Sequence, residues 1–337
     1  MKTMTTLCLI LTFAFANLPA GQAKAQTVST VSDGIFYDGF GIDSTGKIYC
    51  SNYAGTQVFT YDPVTENVEE FATGLTTPNG IGVTPDDEIY VCEATANRIT
   101  VFDTNGNQIN QFTGLNNPTG IKHVATTGEL LWVSYNQSAI YTLNPETGES
   151  TLLTSGAPLN GPSGISFIDG QTYISNYNDR KIFRFEDNQS LIEIAQLPAG
   201  ASQNNVCGFS AAFGDKIYAT QIGEHRIYEI DPETGAVVLF SGSSIGNDDG
   251  DVDEATYNFP NGILSDDSKN RMYVSDAGTS NLRIIDDVNL DVDALAKADI
   301  SIQLYPNPVK DVFYVNFFGI KLKAPCENLY YKKLIIN

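Results

Sequence analysis

The chain has 337 residues, of which 42% are hydrophobic and 11% aromatic, so it has enough apolar content for a large buried core. Its 40 Asp and Glu residues against 19 Lys and Arg give a net charge of −21, which excludes the basic surface that nucleic acids and anionic membranes require. The 17 Tyr, 18 Phe and 29 Gly residues favour β-structure interrupted by many turns.

Residues 1–25 have the pattern of a secretory signal peptide. Lys2 precedes an apolar stretch at 7–16, and the small residues of a cleavage site follow at 23–25 (AKA). The apolar stretch is too short to span a bilayer, and no other run reaches about 18 apolar residues. We therefore expect an exported protein that begins at Gln26, carries a net charge of −23 and is not an integral membrane protein.

Six repeats follow the leader. Each contains a Gly followed by an apolar residue, and successive copies of this Gly lie 41, 40, 44, 44 and 54 residues apart. The six glycines are Gly39, Gly80, Gly120, Gly164, Gly208 and Gly262. An aromatic residue with apolar neighbours and a further apolar segment come later in each repeat. A period near 42 residues with four short strands per repeat predicts an all-β fold, a six-bladed β-propeller over residues 26–287.

The two ends of this repeat array are predicted to meet. The sixth repeat has no clear fourth strand after Asp286, whereas a short strand at 27–31 precedes the first repeat. We predict that this N-terminal strand is the outer strand of the last blade, which removes an exposed sheet edge.

The cysteines are predicted to be unpaired. The four that follow the leader are far apart in sequence, so we expect buried free thiols in strands rather than a disulfide framework. They are Cys50, Cys92, Cys207 and Cys326.

The sixth repeat, residues 242–285, resembles an NHL repeat. A Gly-rich loop with Asp-Gly is followed by Pro-x-Gly-Ile, then by Tyr-Val-x-Asp and Arg-Ile. The second repeat, residues 78–103, is similar to the same pattern, and all six fit it loosely. Related propellers include the senescence-marker-protein/gluconolactonase (SMP-30) type and the streptogramin-lyase type. The resemblance implies a propeller and leaves open whether the protein is an enzyme or a binding module.

The C-terminal segment has its own resemblance. After a polar linker at 288–298, the string YPNPVKD (305–311) resembles the start of the C-terminal sorting domain used by the type IX secretion system of Bacteroidetes-type bacteria, and KKLIIN (332–337) resembles its end. The middle, 318–331, departs from that pattern, and the segment is shorter than such domains usually are. This resemblance implies that residues 299–337 are a shortened sorting sequence, with the secretion machinery as a partner and an extracellular or outer-membrane-surface location.

The residue before each repeated glycine is expected to project into the central channel. These six residues are Asp38, Asn79, Thr119, Ser163, Cys207 and Asn261. They are candidates for a site that binds a small molecule, a carbohydrate or a protein at the channel mouth. The alternative is that they line a wet channel and cap the starts of strands.

A metal site is implied by the resemblance to gluconolactonase-like propellers. Those proteins hold a divalent cation near the axis with Glu, Asn and Asp, several of them at this position. The implied ligands are Asp38, Asn79 and Asn261, whose oxygen atoms suit calcium. Ser163 and Cys207 stand where that family places Asn and Asp, so a second acid is missing here. Catalysis therefore stays open.

The densest acidic run is a second candidate for calcium. In residues 247–254, alternate acids surround a Gly turn. The acids are Asp248, Asp249, Asp251 and Asp253. The alternative is an ordinary inter-blade loop of the NHL type.

The remaining candidates are aromatic residues and histidines. Tyr53, Tyr135 and Tyr177 each follow the second strand of a repeat, next to Asn52, Asn136 and Asn176 respectively. Exposed Tyr with Asn suits recognition of sugars or peptides, and packing at blade edges is the alternative.

The two histidines, His123 and His225, would serve a lyase-like site or simply be packed side chains. The sequence thus favours a secreted binding module, with a calcium-dependent lactonase-like hydrolase as the alternative.

Overall fold

The computed structural model describes residues 26–32 and 34–289, together with the backbone of 312–317 and 320–325. Contacts divide the chain into two compact units, residues 1–288 and 289–337. The expected signal peptide, the sorting-sequence string at 305–311 and Cys326 lie outside the described residues.

The first unit is a six-bladed β-propeller, as the repeats predict. Blade 1 contains β2 (Phe40–Ile42), β3 (Ile48–Ser51), β4 (Val58–Asp62) and β5 (Asn67–Ala72). Blade 2 contains β6 (Pro78–Val83), β7 (Ile89–Glu93), β8 (Arg98–Phe102) and β9 (Gln108–Thr113). Blade 3 contains β10 (Pro118–His123), β11 (Leu130–Ser134), β12 (Ala139–Leu143) and β13 (Ser150–Ser155). Blade 4 contains β14 (Pro162–Ile168), β15 (Gln171–Asn176), β16 (Lys181–Phe185) and β17 (Leu191–Gln196). Blade 5 contains β18 (Cys207–Phe213), β19 (Lys216–Gln221), β20 (Arg226–Ile230) and β21 (Val237–Ser241). Blade 6 contains β23 (Pro260–Asp266), β24 (Arg271–Asp276) and β25 (Asn281–Asp286), together with β1 (Thr27–Val31) and β22 (Gly250–Asp251).

The N-terminal strand completes blade 6, which confirms the predicted closure. Strand β1 pairs antiparallel with β25, from Thr27 opposite Asp286 to Val31 opposite Leu282. The short strand β22 then pairs with the outer side of β1 and makes this sheet five-stranded. Since β1 fills the place of a fourth strand, β25 has no open edge.

The hydrophobic core lies between adjacent blades. In β7, Ile89 and Val91 pack in one cluster with residues of blade 1, while Tyr90 and Cys92 pack in another with residues of blade 3. Trp132 of blade 3 also joins the second cluster and therefore faces the preceding blade. Strands that are apolar on both faces suit this arrangement, because both sides of each sheet are covered.

Three cysteines are resolved as buried free thiols, which confirms the expectation for them. Cys50, Cys92 and Cys207 have no exposed surface and no disulfide partner.

The repeated glycines allow inner strands to approach each other closely. A Cβ atom at Gly120 would overlap the carbonyl oxygen of Ser163, and one at Gly262 would overlap that of Asp38. Any side chain at these two positions would push neighbouring blades apart. These glycines therefore fix the spacing between neighbouring inner strands.

The Asx residues that close several repeats shape the hairpins between third and fourth strands. The side-chain oxygen of Asp62, Asp103, Asn144 and Asp231 accepts a hydrogen bond from the backbone N–H two residues later. These Asp and Asn residues thus shape the turns between third and fourth strands.

The remaining elements are small. Two 3-10 turns, η1 (Ile222–Glu224) and η2 (Asp267–Lys269), flank strands of blades 5 and 6. The second unit contains an antiparallel hairpin of β26 (Val312–Phe317) and β27 (Ile320–Pro325). Within the described part of the chain, no helix has the length and apolar character needed to cross a membrane.

Candidate functional site

A cavity of about 700 Å³ lies at the end of the central channel where the inner strands begin. We call it the mouth cavity. Its lining comes from the first residues of inner strands and from the loops that follow second strands. All six blades contribute to it, so the ring geometry converts equivalent positions of the repeats into one concave surface.

Five of the six predicted channel residues meet in the mouth cavity. They are Asp38, Asn79, Thr119, Ser163 and Asn261. The hydroxyl of Thr119 donates to the carbonyl of Pro162 (3.0 Å), and that of Ser163 donates to the carbonyl of Gly208 (2.8 Å). These two hydroxyls therefore join adjacent blades, as the strand-capping alternative anticipates.

Cys207 lies apart from the other five. Its inner strand has a bulge, and Cys207 pairs with Gln221 in the way that Pro260 of blade 6 pairs with Asp276. Its thiol is fully buried in the cluster between blades 4 and 5, and burial raises its pKa to about 12. Gly208 and Phe209 line the cavity in this blade instead. The inner strands of blades 2, 3, 4 and 6 have a bulge at the same place, so the difference is one of register: Cys207 stands where blade 6 has Pro260, and Gly208 stands where it has Asn261.

Asp38 is the acidic residue of the mouth cavity. Its side chain is 4% exposed, and its Oδ1 accepts a hydrogen bond from the amide of Asn261 (3.1 Å). Burial raises the pKa of Asp38 well above its usual value, and the amide of Asn261 only partly opposes this shift. The site therefore stabilises a neutral carboxyl unless a positive charge approaches it.

Basic side chains are absent from the described lining of the mouth cavity. Lys122, on the inner strand of blade 3, lines a second cavity of about 10 Å³ together with mostly apolar inner-strand residues. Its Nζ donates to the carbonyl of Phe40 (3.3 Å), and burial lowers its pKa to about 8. Lys122 thus occupies the narrow part of the channel.

The three predicted tyrosines form one wall of the mouth cavity. Tyr53, Tyr135 and Tyr177 all line it, and the rings of Tyr135 and Tyr177 meet edge to face with centroids 5.8 Å apart. The Tyr135 hydroxyl donates to Oδ1 of Asn178 (2.9 Å), which orients the ring. These tyrosines come from the loops after β3, β11 and β15.

Three further aromatic residues line the same cavity, and the repeat pattern missed them. Tyr37 precedes Asp38, Phe209 follows Gly208, and Phe259 precedes the inner strand of blade 6. A usable signal was present in sequence, since each lies within two residues of a channel-facing position. The loops that follow the second strands of blades 2 and 6 contribute only small side chains to the mouth cavity, among them Ala94 and Ala277.

The asparagines beside the tyrosines have different roles. Asn136 lines the mouth cavity. Asn52 donates to the Gln57 side chain (3.0 Å), and Asn176 donates to the carbonyl of Pro158 (3.0 Å). Only one of the three Asn neighbours is therefore available to a ligand in the cavity.

The acidic run at 247–254, here called the blade-6 acidic loop, directs its side chains to protein partners. Asp248 accepts a hydrogen bond from the Thr256 hydroxyl (3.1 Å), and Asp249 accepts one from Thr30 of β1 (2.6 Å). Asp251 pairs through its backbone with β1. Asp253 is exposed.

Arg283 is the centre of the blade-6 acidic loop. Its side chain is fully buried and pairs with Asp249 (3.1 Å) and with the buried Asp276 (3.6 Å). It also donates to the carbonyls of Thr256 and Asp248 (2.6 and 2.8 Å). The loop thus uses its acid and carbonyl groups to surround a buried guanidinium.

Neither histidine lines the mouth cavity. The Nδ1 of His225 accepts a hydrogen bond from the backbone N–H of Phe259 (3.1 Å), and burial lowers its pKa from the usual value. His123 ends the inner strand of blade 3, opposite Leu130. Both positions match packed side chains more than a shared catalytic centre.

Clusters of three or more His, Cys, Asp or Glu placed to hold a metal ion do not occur among the described residues. The implied calcium ligands Asp38, Asn79 and Asn261 offer one carboxyl and two amides around the mouth cavity. This donor set is poor in charge for a divalent cation.

Comparisons with known proteins establish the fold class. No model of a known protein family matches the chain. An auxiliary nutrient binding protein from Bacteroides thetaiotaomicron superposes with a TM-score of 0.63 at 19% identity, covering 78% of this chain and 76% of that one. A gluconolactonase from Xanthomonas campestris superposes with a TM-score of 0.61 at 16% identity, covering 77% and 89%. At these identities the likeness is one of fold.

One relative is found by sequence. The protein SUPPRESSOR OF QUENCHING 1, chloroplastic, from Arabidopsis thaliana is 28% identical over 193 residues, or 55% of this chain. The match spans 16% of that protein's length, so it covers only a small part of the relative.

Proposed function

We propose that this protein is a secreted or surface-displayed binding module that holds a small organic ligand in the mouth cavity. The observation that carries the proposal is the composition of the cavity: aromatic side chains from several blades surround polar groups held by the inner ring. A concave site with aromatic walls and few polar groups is the usual form of a small-molecule site. Carbohydrate and peptide ligands fit this description as well.

The comparisons support a binding role as one of the functions carried on this fold. A propeller of similar shape is described as a nutrient binding protein of a Bacteroides species. The leader at 1–25 and the YPNPVKD string support export to the surface of a bacterium of that kind. Cell fractionation of the full chain and of a chain lacking 299–337 tests this part, because only the full chain should reach the surface.

The binding role is tested by thermal unfolding of the purified protein with a panel of probes. The panel contains neutral oligosaccharides, tripeptides and small amines. A probe that binds only the folded protein at about 100 times its dissociation constant adds about 2.7 kcal/mol to the free energy of unfolding, which raises the melting temperature by about 5–10 °C. Tyr53→Leu should abolish the shift, whereas Ile109→Ala on an exposed outer strand should keep it. A panel without any shift would count against the binding role.

A calcium-dependent lactonase-like hydrolase is the second candidate. Asp38, Asn79 and Asn261 do line one cavity, and a gluconolactonase shares the fold. This candidate requires that calcium raise the melting temperature relative to EDTA and that Asp38→Ala remove the rise. Hydrolysis of gluconolactone would also have to require calcium and be lost in Asp38→Ala. Asp249→Ala separates a channel site from the blade-6 acidic loop.

A further inference from the structure

We propose that the ligand of the mouth cavity is an organic ammonium ion, a primary or quaternary amine attached to an apolar or aromatic body. This inference rests on the proposed binding function and specifies the class of ligand. It is carried by one buried carboxyl, by the aromatic side chains around the same space, and by the charge of the lining.

The carboxyl of Asp38 is placed to receive a cation. Asn261 donates to Oδ1, and no residue in the described part of the chain donates to Oδ2. The backbone of Asp38 is already bound by the protein, since its carbonyl accepts from the hydroxyl of Ser275 (3.0 Å). Its position is therefore fixed while one carboxyl oxygen remains available to a ligand.

No cationic side chain in the described lining of the mouth cavity balances a negative charge on Asp38. Among the described residues that line the mouth cavity, Asp38 is the only Asp, Glu, Lys, Arg or His. A buried carboxylate without a cation is costly, and an incoming ammonium group would offset that cost through a charge-assisted hydrogen bond. The net charge of −21 also favours the approach of cations over anions.

The aromatic wall provides the second element of cation recognition. Tyr37, Tyr53, Tyr135 and Tyr177 line the cavity with Asp38, and Phe209 of blade 5 lines it as well. The negative face of an aromatic ring attracts an ammonium group within about 6 Å of the ring centroid, most strongly where water is excluded. The small residues of blades 2 and 6 leave room for the body that carries the amine.

The hydroxyl groups of this wall lie near the carboxyl. Burial raises the pKa of Tyr53, and the neighbouring Asp38, Tyr135 and Tyr37 add to that effect. Burial raises the pKa of Tyr177 to about 12, and Tyr135 and Asp38 add to that effect. Cys50, whose thiol donates to the Asp38 carbonyl, also has a raised pKa because of burial. Among the described residues that line the mouth cavity, Asp38 is thus the one that offers a carboxylate to a cation.

An ammonium group bound at this place would form a charge-assisted hydrogen bond with the Asp38 carboxylate. A neutral ligand of the same shape would lack that ion pair.

The experiment compares probes of matched shape and different charge by calorimetric titration of the full chain. Choline is paired with its uncharged carbon isostere dimethylbutanol, and phenethylamine is paired with phenethyl alcohol. We expect at least one cation to bind at least about tenfold more tightly than its neutral partner. Asp38→Asn should remove this preference, whereas Glu70→Gln, the same change of charge on an exposed outer strand, should leave it intact.

Tyr53 supplies a second readout that does not depend on Asp38. Its side chain is 42% exposed, so substitutions there should preserve folding. Tyr53→Phe should keep the affinity for the cation because the ring remains, and Tyr53→Leu should weaken it.

Equal binding of charged and neutral partners, or no binding of any ammonium probe, would overturn the inference. If oligosaccharides or tripeptides bind in that case, the proposed binding function survives and only the ligand class is wrong. If no probe of any kind binds, the binding function itself fails.

Discussion

The mouth cavity and the blade-6 acidic loop both contain acidic side chains, but the two regions differ in how many protein partners those side chains have. The loop has several acids close in sequence, and two of them are bound by Thr30, Thr256 or Arg283. The mouth cavity has one acid, Asp38, with a single side-chain donor. The comparison teaches that the density of acids in a sequence is a weaker sign of a ligand site than the absence of internal partners.

The largest effect is expected from Arg283→Met, which removes the charge around which the loop is built. Asp276 would lose its buried cationic partner, and the carbonyls of Thr256 and Asp248 would lose their donor. Breaking a buried pair in this way costs about 3–5 kcal/mol in the free energy of unfolding. Urea unfolding measures the loss.

Arg184→Met is the matched control for that variant. Arg184 pairs with Glu186 at the surface (2.5 Å), where about a third of its side chain is exposed. An exposed pair contributes less than about 1 kcal/mol. Equal losses in the two variants would contradict the structural role assigned to Arg283.

Asp249→Asn should have a smaller effect on the same loop. Asp249 is about half exposed, and Arg283 retains Asp276 as a partner, so the expected loss is about 1 kcal/mol. Asp253→Asn in the same loop should change the free energy of unfolding by less than about 0.5 kcal/mol because its side chain is exposed. If calcium raises the melting temperature of the parent and of neither variant, the loop is a metal site after all.

The pH dependence of stability should distinguish the buried acids from those at the rim. Burial raises the pKa of Asp38 and raises that of Asp276 to about 6, so the folded protein binds these protons more tightly than the unfolded chain. Stability should therefore increase as the pH falls from about 7 toward about 4. Asp38→Asn should reduce this increase, as measured by urea unfolding at several pH values.

Asp231→Asn is the control of opposite sign. Hydrogen bonds from the turn backbone and Lys216 lower the pKa of Asp231 to about 2. Its contribution to stability is present above the usual pKa of Asp and is lost as the pH falls toward 2. The variant should therefore be less stable than the parent between pH 7 and 5 while keeping the same increase over that range, and the difference should vanish as the pH falls toward 2. An unchanged profile in Asp38→Asn would mean that Asp38 is not buried as described.

The smallest change in stability is expected in the aromatic wall. Tyr53→Leu should alter the free energy of unfolding by less than about 0.5 kcal/mol, since Tyr53 is 42% exposed and lies outside the core clusters between blades. Binding of any cavity ligand should nevertheless weaken. A large loss of stability would instead identify Tyr53 as a packing residue, the alternative that its position in sequence left open.

The fold was predictable from sequence because its determinants are local and repeated. Two features recur at a fixed spacing: the glycines of the inner strands and the middle strands that are apolar on both faces. A third feature is the strand at 27–31, which precedes the first repeat. These features suffice for the number of blades and for the closure of the ring.

The site was predictable only in part. Five channel residues followed from the spacing, but Cys207 did not, because its strand pairing puts it where blade 6 has Pro260, one residue before the channel-facing position. Phe209 consequently stands where blade 6 has Gly262, and Phe259 precedes its inner strand, so the glycine spacing indicated neither of them. The partners of the loop acids, Thr30 above all, are distant in sequence and become neighbours only when the ring closes.

Closure by β1 also determines the order in which the propeller is completed. Strand β1 is synthesised before every other described strand, yet its partner β25 is the last strand of the ring. The two ends meet where the Gln26 amide donates to the carbonyl of Val288, 262 residues away. Closing so long a chain segment has a high entropic cost before any contact forms. Strand β1 can therefore pair only after β25 has been made, and a chain that ends between β24 and β25 has five complete blades but no closed ring.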